Sequence, residues 1–320
     1  MNLQVRRVAL IGGSGFVGRS ISEHLARAGI EQKVLTRARL HARASWPLPG
    51  ASCVECDPCS PEALAAAVRD CDAVINLVGI LNERGDRGEG FRRAHVDITR
   101  NALDACARSG VTRYLHMSAL NAAPVAPSHY LRTKGEAERL VRAAPASLAT
   151  TIFRPSVIFG PGDGLFCRFD ALLKFSPVLP LACAAARFQP VHVGDVAEAF
   201  VRSLELRHSF GASYDLGGPE VMTLEQIVRM VLEATGRRRL VLPLGMLASR
   251  VQAEIFEHLP GKPFSRDNFR SASVDSVLPG PNGLEQLGIT PVHVASVLRA
   301  CLGIGGERMR YDLLRQRAGR

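Results

Sequence analysis

The pentapeptide Tyr130-Leu131-Arg132-Thr133-Lys134 places a phenol four residues before an ammonium group. Four residues are about one turn of an α-helix, so both groups leave the same face. An ammonium beside a phenol lowers the phenol's pKa, and a tyrosine tuned in this way can give a proton to a reacting oxygen. Ser118 stands twelve residues upstream, at the end of the apolar run Tyr114-Leu115-His116-Met117. Its hydroxyl can hold the reacting oxygen beside the phenol. With four Tyr and four Lys in 320 residues, only about 0.05 such spacings arise by chance, so the pair reads as chemistry.

A second motif supplies a partner for that chemistry. Gly12-Gly13-Ser14-Gly15-Phe16-Val17-Gly18 follows the apolar run Val8-Ala9-Leu10-Ile11 and opens a helical stretch. Glycines at Gly12, Gly15 and Gly18 permit a tight turn, let backbone approach a pyrophosphate, and let helix and sheet pack closely. The amides of Ser14, Phe16 and Val17 then face the negative charge at a helix N-terminus. Between a strand and a helix, the spacing predicts a dinucleotide site, and a nicotinamide beside Tyr130 makes a site for hydride transfer.

Cofactor choice is read at the end of the second strand. NAD-specific sites carry an Asp or Glu about 20 residues after the glycines. Here the stretch is Val34-Leu35-Thr36-Arg37, with no carboxylate and with an Arg able to pair with a 2′-phosphate. NADP(H) is therefore the preferred cofactor and NAD(H) the alternative. Asp57 is placed to accept from the adenine amino group, or else to cap the next helix. Asn76, Val78 and Gly79 are expected to run beneath the ribose and diphosphate. Asn101, mid-helix, is expected to make a backbone or water-relay contact near Lys134, or to pack. Arg154, after the sixth strand's apolar run, is counted with the cofactor-binding residues.

Around these motifs the first half alternates short apolar strands with helices, as successive βαβ units do. Strands are expected at Val8–Ile11, Gln32–Thr36, Ser52–Cys56, Asp72–Val78, Arg113–Met117 and Leu148–Phe153. Helices are expected from Val17 to Ala28, from the Ser60-Pro61 cap, from Phe91 to Arg108 and from Tyr130 to Arg142. Val191–Ala197 reads as a strand feeding a helix back into the sheet. Later helices are read at Leu224–Thr235 and Leu247–His258. The predicted class is α/β, a doubly wound parallel sheet (Rossmann fold) with a smaller interleaved C-terminal lobe. Residues 1–155 with 188–216 form the dinucleotide domain, and 156–187 with 217–320 form the smaller substrate or interaction lobe.

Composition bounds the rest. Apolar residues make up 47% and charged residues 22%, as in ordinary globular chains. The net charge is +10, and the stretch from 237 to 320 holds 13 Arg or Lys against 7 Asp or Glu. Such a region suits an anionic membrane or an acidic partner, or else is a solvated face. Aromatics, at 6%, do not interleave with the basic runs, and no recognition motif appears, so no nucleic-acid partner is expected. The apolar run after Arg6-Arg7 stops at Gly12-Gly13, too short for a signal peptide. A cytoplasmic protein follows, with peripheral contact at the cytoplasmic face of the inner membrane open through the basic C-terminal region. The eight Cys read as reduced thiols. Cys53, Cys56 and Cys59 have the spacing of a cluster motif, but Ala63 replaces its fourth Cys and the strand frame keeps the thiols apart, so no metal is expected.

Together these motifs resemble the extended or atypical branch of the short-chain dehydrogenase/reductase superfamily. The resemblance implies that Ser118, Tyr130 and Lys134 form a catalytic triad. Tyr130 would be the acid/base, Lys134 would also hold the nicotinamide ribose, and Ser118 would orient the substrate. The strings Ser118–Ala122, Ser128–Glu136, Phe153–Asp163, Phe175–Leu181 and Arg187–Val191 are also similar to bacterial relatives of the nucleotide-binding accessory subunit of respiratory complex I. That resemblance implies NADPH as a largely structural cofactor, a link to quinone metabolism and docking on a respiratory assembly. Sugar-nucleotide epimerases read R-x-x-N-V-Y-G-P where this chain has Val157 in the Asn position, which disfavours a sugar nucleotide. The mostly apolar run 165–181 suits an apolar carbonyl or quinone-like substrate, or else packs between the lobes.

Overall fold

The computed structural model describes residues 4–38, 47–259 and 262–304. In chain order the elements begin β1 (Arg7–Ile11), α1 (Phe16–Arg27), β2 (Glu31–Thr36), β3 (Ala51–Glu55), α2 (Pro61–Val68) and β4 (Ala73–Asn76). There follow α3 (Glu89–Arg92), a π-helical turn (Arg93–Asp97), α4 (Ile98–Ser109), β5 (Arg113–Met117), α5 (His129–Arg142) and β6 (Ala149–Pro155). The middle holds β7 (Ile158–Phe159), α6 (Phe166–Phe175), β8 (Val178–Leu181), β9 (Arg187–Phe188), β10 (Val191–His192) and α7 (Val193–Arg202). The chain continues with β11 (Ser213–Leu216), β12 (Met222–Thr223), α8 (Leu224–Thr235) and β13 (Leu240–Pro243). It closes with α9 (Met246–Glu257), α10 (Arg266–Ala272), α11 (Gly283–Gln286) and α12 (Val294–Cys301).

The chain divides into two compact units. The first holds Met1–Pro155, Gly194–Leu216 and Gly280–Ile289; the second holds Ser156–Val193, Gly217–Pro279 and Thr290–Arg320. This differs from the expected division in two places. Residues 188–193 go to the second unit because β10 pairs there with β7, Val191 beside Ile158. Residues 280–289 return to the first because α11 rests on β11, where a Cβ on Gly283 would lie 2.7 Å from that of Tyr214. Arg202 holds the same stretch through the carbonyls of Leu287 and Gly288.

In the first unit a parallel sheet runs in the order β11-β6-β5-β4-β1-β2-β3. Its central strands are continuous apolar runs, as a sheet covered on both faces requires. Val8, Ala9, Leu10, Val74 and Ile75 lose all contact with solvent. Helices α2 and α4 cover one face, burying Leu64, Val68, Ala102 and Cys106 against the sheet. Ser60 caps α2 by accepting from the Ala63 amide, with Pro61 in the first turn. Arg113 is fully buried, yet its guanidinium donates to the carbonyls of Ala149, Ser203 and Leu204 and to Thr151, tying β5 and β6 to the chain after α7.

Three expectations are corrected. Val191–Ala197 does not enter the main sheet: only Val191 and His192 are extended, and the helix already starts at Val193. The seventh strand is instead β11, four half-polar residues pairing in parallel with β6. The helix expected from Phe91 to Arg108 runs through a π-helical turn at Arg93–Asp97, and just beyond it the Thr99 hydroxyl donates to the His95 carbonyl at 2.6 Å. Finally, the run 165–181 forms α6 and β8, burying Phe166, Leu173, Leu179 and Leu181 in the second unit's own core while Leu172, Phe175 and Val178 stay exposed.

Candidate active site

The glycine turn is shaped by close approach. Gly12 has φ +79°, which side chains rarely adopt, and a Cβ there would sit 3.2 Å from the Val78 amide nitrogen. Gly18 faces Gly13 so closely that a Cβ would fall 2.3 Å from the Gly13 carbonyl oxygen. Helix α1 starts at Gly15 with no side-chain cap and no acidic residue in its first turn. Its leading amides and dipole are therefore left for an anion.

At the C-terminal ends of β2, β3 and β4 the side chains shape loops. Thr36 is buried and its hydroxyl donates to the Ala38 carbonyl, while Arg37 is exposed just beyond the strand. Asp57 Oδ1 accepts from the Cys59 amide at 3.0 Å, holding the turn before α2. Asn76 is almost fully buried: Nδ2 donates to Thr99 Oγ1 and Tyr114 Oη, and Oδ1 accepts from the Val78 amide. It thus positions the Val78–Gly79 turn with its amide fully engaged.

Helix α5 begins with Ser128 accepting from the Leu131 amide. Tyr130 and Lys134 lie one turn apart on it. Lys134 is 2% exposed and its Nζ donates to the carbonyls of Met117 at 2.8 Å and Val78 at 3.1 Å. The ammonium therefore bridges the end of β5 and the turn after β4. Ser118 follows Met117, its amide tied to the Phe153 carbonyl at 2.7 Å. Its Oγ is buried and has no hydrogen-bond partner among the described residues. A Cβ on Gly79 would lie 3.4 Å from Lys134 Nζ, so the lysine stands directly over that turn.

Electrostatics correct one expectation. Burial pushes the Tyr130 phenol up to about 12, whereas the sequence reading had Lys134 lowering it. Burial also pulls Lys134 down to about 8, opposed by the Glu138 carboxylate one turn further on. A neutral His116, held near 3 by burial and by Lys134, lies on β5 with both ring nitrogens unpartnered among the described residues.

Sequence reasoning assigned no role to three residues that build this site. His95 is buried in the π-helical turn, where Nε2 accepts from the Ile80 amide and Nδ1 meets Thr133 Oγ1 at 2.8 Å. Its ring stands edge-on to Tyr130, with centroids 5.4 Å apart. Glu138, 3% exposed, receives Arg154 through Nε at 2.7 Å and a second donor, and Arg142 at 3.2 Å. Gly13 accepts the close packing of Gly18. The signals available were a His and a Glu on buried helix faces, and neither names its partner.

Two assigned residues go elsewhere. Asn101 is removed from the lysine: its Nδ2 donates to the carbonyls of Pro58 and Cys59, because its face of α4 looks toward α2. Arg154, counted with the cofactor-binding residues, is engaged as the counter-charge of Glu138 and, at 3.7 Å, of Asp215. Parallel pairing sets Arg154 opposite Asp215 in the β6–β11 register.

An uncapped helix start behind a glycine turn, a bridging lysine and an orphaned buried hydroxyl fit a dinucleotide and a reacting oxygen. A seven-stranded parallel sheet carrying these groups defines a nucleotide-binding α/β protein of the short-chain dehydrogenase/reductase type. The chain belongs to the NAD dependent epimerase/dehydratase family, which it matches over residues 8–217. It is 29% identical over 299 residues to the mitochondrial NADH dehydrogenase (ubiquinone) 1 alpha subcomplex subunit 9 of Mus musculus, covering 90% of this chain and 78% of that protein. It is 34% identical over 194 residues to the ceramide reductase of Caulobacter vibrioides, covering 61% of this chain and 59% of that one. Among solved structures, the Escherichia coli NADPH-dependent quinone oxidoreductase superposes with a TM-score of 0.72 at 16% identity, over 92% of this chain and 99% of that one.

Proposed function

We propose that the chain is an NADP(H)-dependent oxidoreductase that reduces the carbonyl of an apolar, quinone-like or lipid-like substrate. The observation that carries the reading is the buried Ser118 hydroxyl without a partner, next to the residue whose carbonyl holds Lys134. A buried hydroxyl left unsatisfied costs about 1–3 kcal/mol, which a substrate oxygen would recover. Reduced nicotinamide supplies the hydride when bound. Ser118 donates to the carbonyl oxygen and fixes it, and Tyr130 gives that oxygen its proton, completing the alcohol. Lys134 holds the ribose, and its positive charge favours the phenolate that Tyr130 becomes on giving up the proton. Arg37 at the end of β2, with no carboxylate there, supports NADP(H). The ceramide reductase relative and Val157 in place of an Asn support an apolar substrate.

The test is Tyr130→Phe assayed with NADPH against long-chain ketones and quinones. Turnover should fall by at least about a hundredfold with NADPH affinity unchanged within about twofold. An undiminished rate would sink the assignment.

A second reading has its own support. The mitochondrial NADH dehydrogenase subunit among the relatives favours NADPH as a structural cofactor in a module docked on a membrane assembly. Residues 305–320 of the basic C-terminal region, expected to carry such docking, lie outside the described residues. No helix among the described residues is long and apolar enough to cross a membrane.

A further inference from the structure

Helix α9 of the second unit is built the wrong way round for a helix on a water-facing surface. The residues turned inward are Ser249, Ala253 and Glu257, each under 9% exposed. They dock through polar contacts: Ser249 Oγ donates to the Leu244 carbonyl and accepts from the Cys183 amide, and nearby Gln252 donates to the Pro180 carbonyl. The outward ridge is Leu247, Val251, Ile255 and Leu259, exposed by 81, 58, 57 and 43%. A spacing of four puts Leu247, Val251 and Ile255 on one face of α9, which in an ordinary surface helix would carry charge, and Leu259 follows just past the helix end. Just before it, β13 turns Leu240 and Leu242 outward on one side of the strand. Its neighbour β8 adds Val178, which pairs with Leu240. Ten of the thirteen exposed large apolar side chains among the described residues fall within 172–178 and 240–259, so the exposure is a patch and not scatter.

The charges around the patch say what covers it. Arg238 and Arg250 are exposed and meet no carboxylate among the described residues. The guanidinium of Arg239 donates to the carbonyls of Leu173 and Arg238. The acidic groups of α9 are already neutralised, Glu254 by Arg266 and Glu257 by Lys262. An apolar ridge flanked by uncompensated arginines matches the boundary between anionic headgroups and acyl chains. A second copy fits less well. A symmetric contact would set Arg250 near its own counterpart and bring two chains of net charge +10 together.

We propose that α9 and β13 form a peripheral docking face for a bilayer containing anionic phospholipid. The Leu247–Leu259 ridge enters the headgroup boundary while Arg238 and Arg250 meet lipid phosphates. The inference does not depend on whether Tyr130 turns over a substrate.

The experiment is co-sedimentation of the full-length protein with vesicles of phosphatidylcholine alone, or with roughly one quarter phosphatidylglycerol. Binding is expected to the mixed vesicles and to weaken as salt is raised. Leu247→Asp with Ile255→Asp should reduce it by at least about tenfold. Each arginine near the surface contributes on the order of 1 kcal/mol, so Arg238→Gln with Arg250→Gln should reduce it about thirtyfold. Val125→Asp, at an exposed apolar residue of the first unit, should leave it unchanged. NADPH affinity and thermal unfolding of each variant report folding, and the exposed arginine pair keeps the test decisive should the ridge variant unfold. The proposal is overturned by absent vesicle binding, or by binding that survives both double variants. A dimer dispersed by the ridge variant, with no lipid binding, would likewise overturn it and assign the face to a second copy.

Discussion

Replacing Gly18 with Ala tests whether the glycine turn holds a dinucleotide by close backbone packing. The new Cβ would stand 2.3 Å from the Gly13 carbonyl oxygen and 2.5 Å from its carbon, and neither is a flexible side-chain end. Helix α1 must therefore retreat by about 1 Å to reach ordinary contact. Overpacking of this kind costs about 1–3 kcal/mol, partly offset by the roughly 1 kcal/mol that Ala gains over Gly in a helix. The larger effect falls on the ligand, because the uncapped amides move with the helix. Losing one charge-assisted hydrogen bond to a phosphate, about 1.5–3 kcal/mol, weakens NADPH binding about tenfold to a hundredfold. Fluorescence titration with NADPH reads this, and thermal unfolding reads the smaller stability loss. Gly15→Ala is the contrast for packing alone, since its Cβ would meet only the Gly12 carbonyl oxygen, at 3.3 Å, and thermal unfolding should change little. NADPH affinity equal to wild type in Gly18→Ala, with unchanged unfolding, would refute the reasoning.

Other expectations follow from the charges. Lys134 sits near 8 in the empty protein, so NADPH affinity should fall by up to about tenfold per pH unit above 8. Lys134→Arg keeps its charge and should flatten that pH dependence of the titrated affinity. The same depressed lysine makes the empty protein gain stability as pH rises from about 8 to 10.5, because there the unfolded chain binds the extra proton. Arg37→Ala should weaken NADPH about tenfold to a hundredfold and leave NADH nearly untouched; NADH binding as tightly as NADPH to the wild type would contradict the assignment. Glu138→Gln leaves Arg154 half-paired and should cost about 2–3 kcal/mol in denaturant unfolding, less than a fully buried pair because Arg154 keeps some contact with water.

How much was legible in advance depended on whether the signal was local. The β1 strand, glycine turn and α1, the Ser60-Pro61 cap and the Tyr130–Lys134 turn are written in consecutive residues, and each lies where its pattern put it. Ser118 was legible because an apolar strand ends beside it. What stayed hidden is set by partners distant in sequence. The pairing of Arg154 with Glu138 and Asp215 depends on one element sixteen residues away and another sixty-one residues away. Asn101 pointed to a lysine until the packing of α4 on α2 turned it to Pro58. The π-helical turn at His95 inserts one residue and only slides the helical pattern by a fraction of a turn, which periodicity does not register. The span Leu247–His258 was legible as a helix, but which of its faces meets water depends on packing against residues distant in sequence.

The central claim is hydride transfer at Ser118, Tyr130 and Lys134, and its most direct test is isotopic. NADPH deuterated at the reactive nicotinamide carbon is mixed with excess full-length protein and a panel of long-chain ketones and quinones for a single turnover, and products are read by mass spectrometry. The account predicts deuterium on the reduced carbon of a ketone product, absent when Tyr130→Phe is used. NADPH held tightly and left unoxidised by every candidate, or label transferred as readily without the Tyr130 hydroxyl, would contradict it.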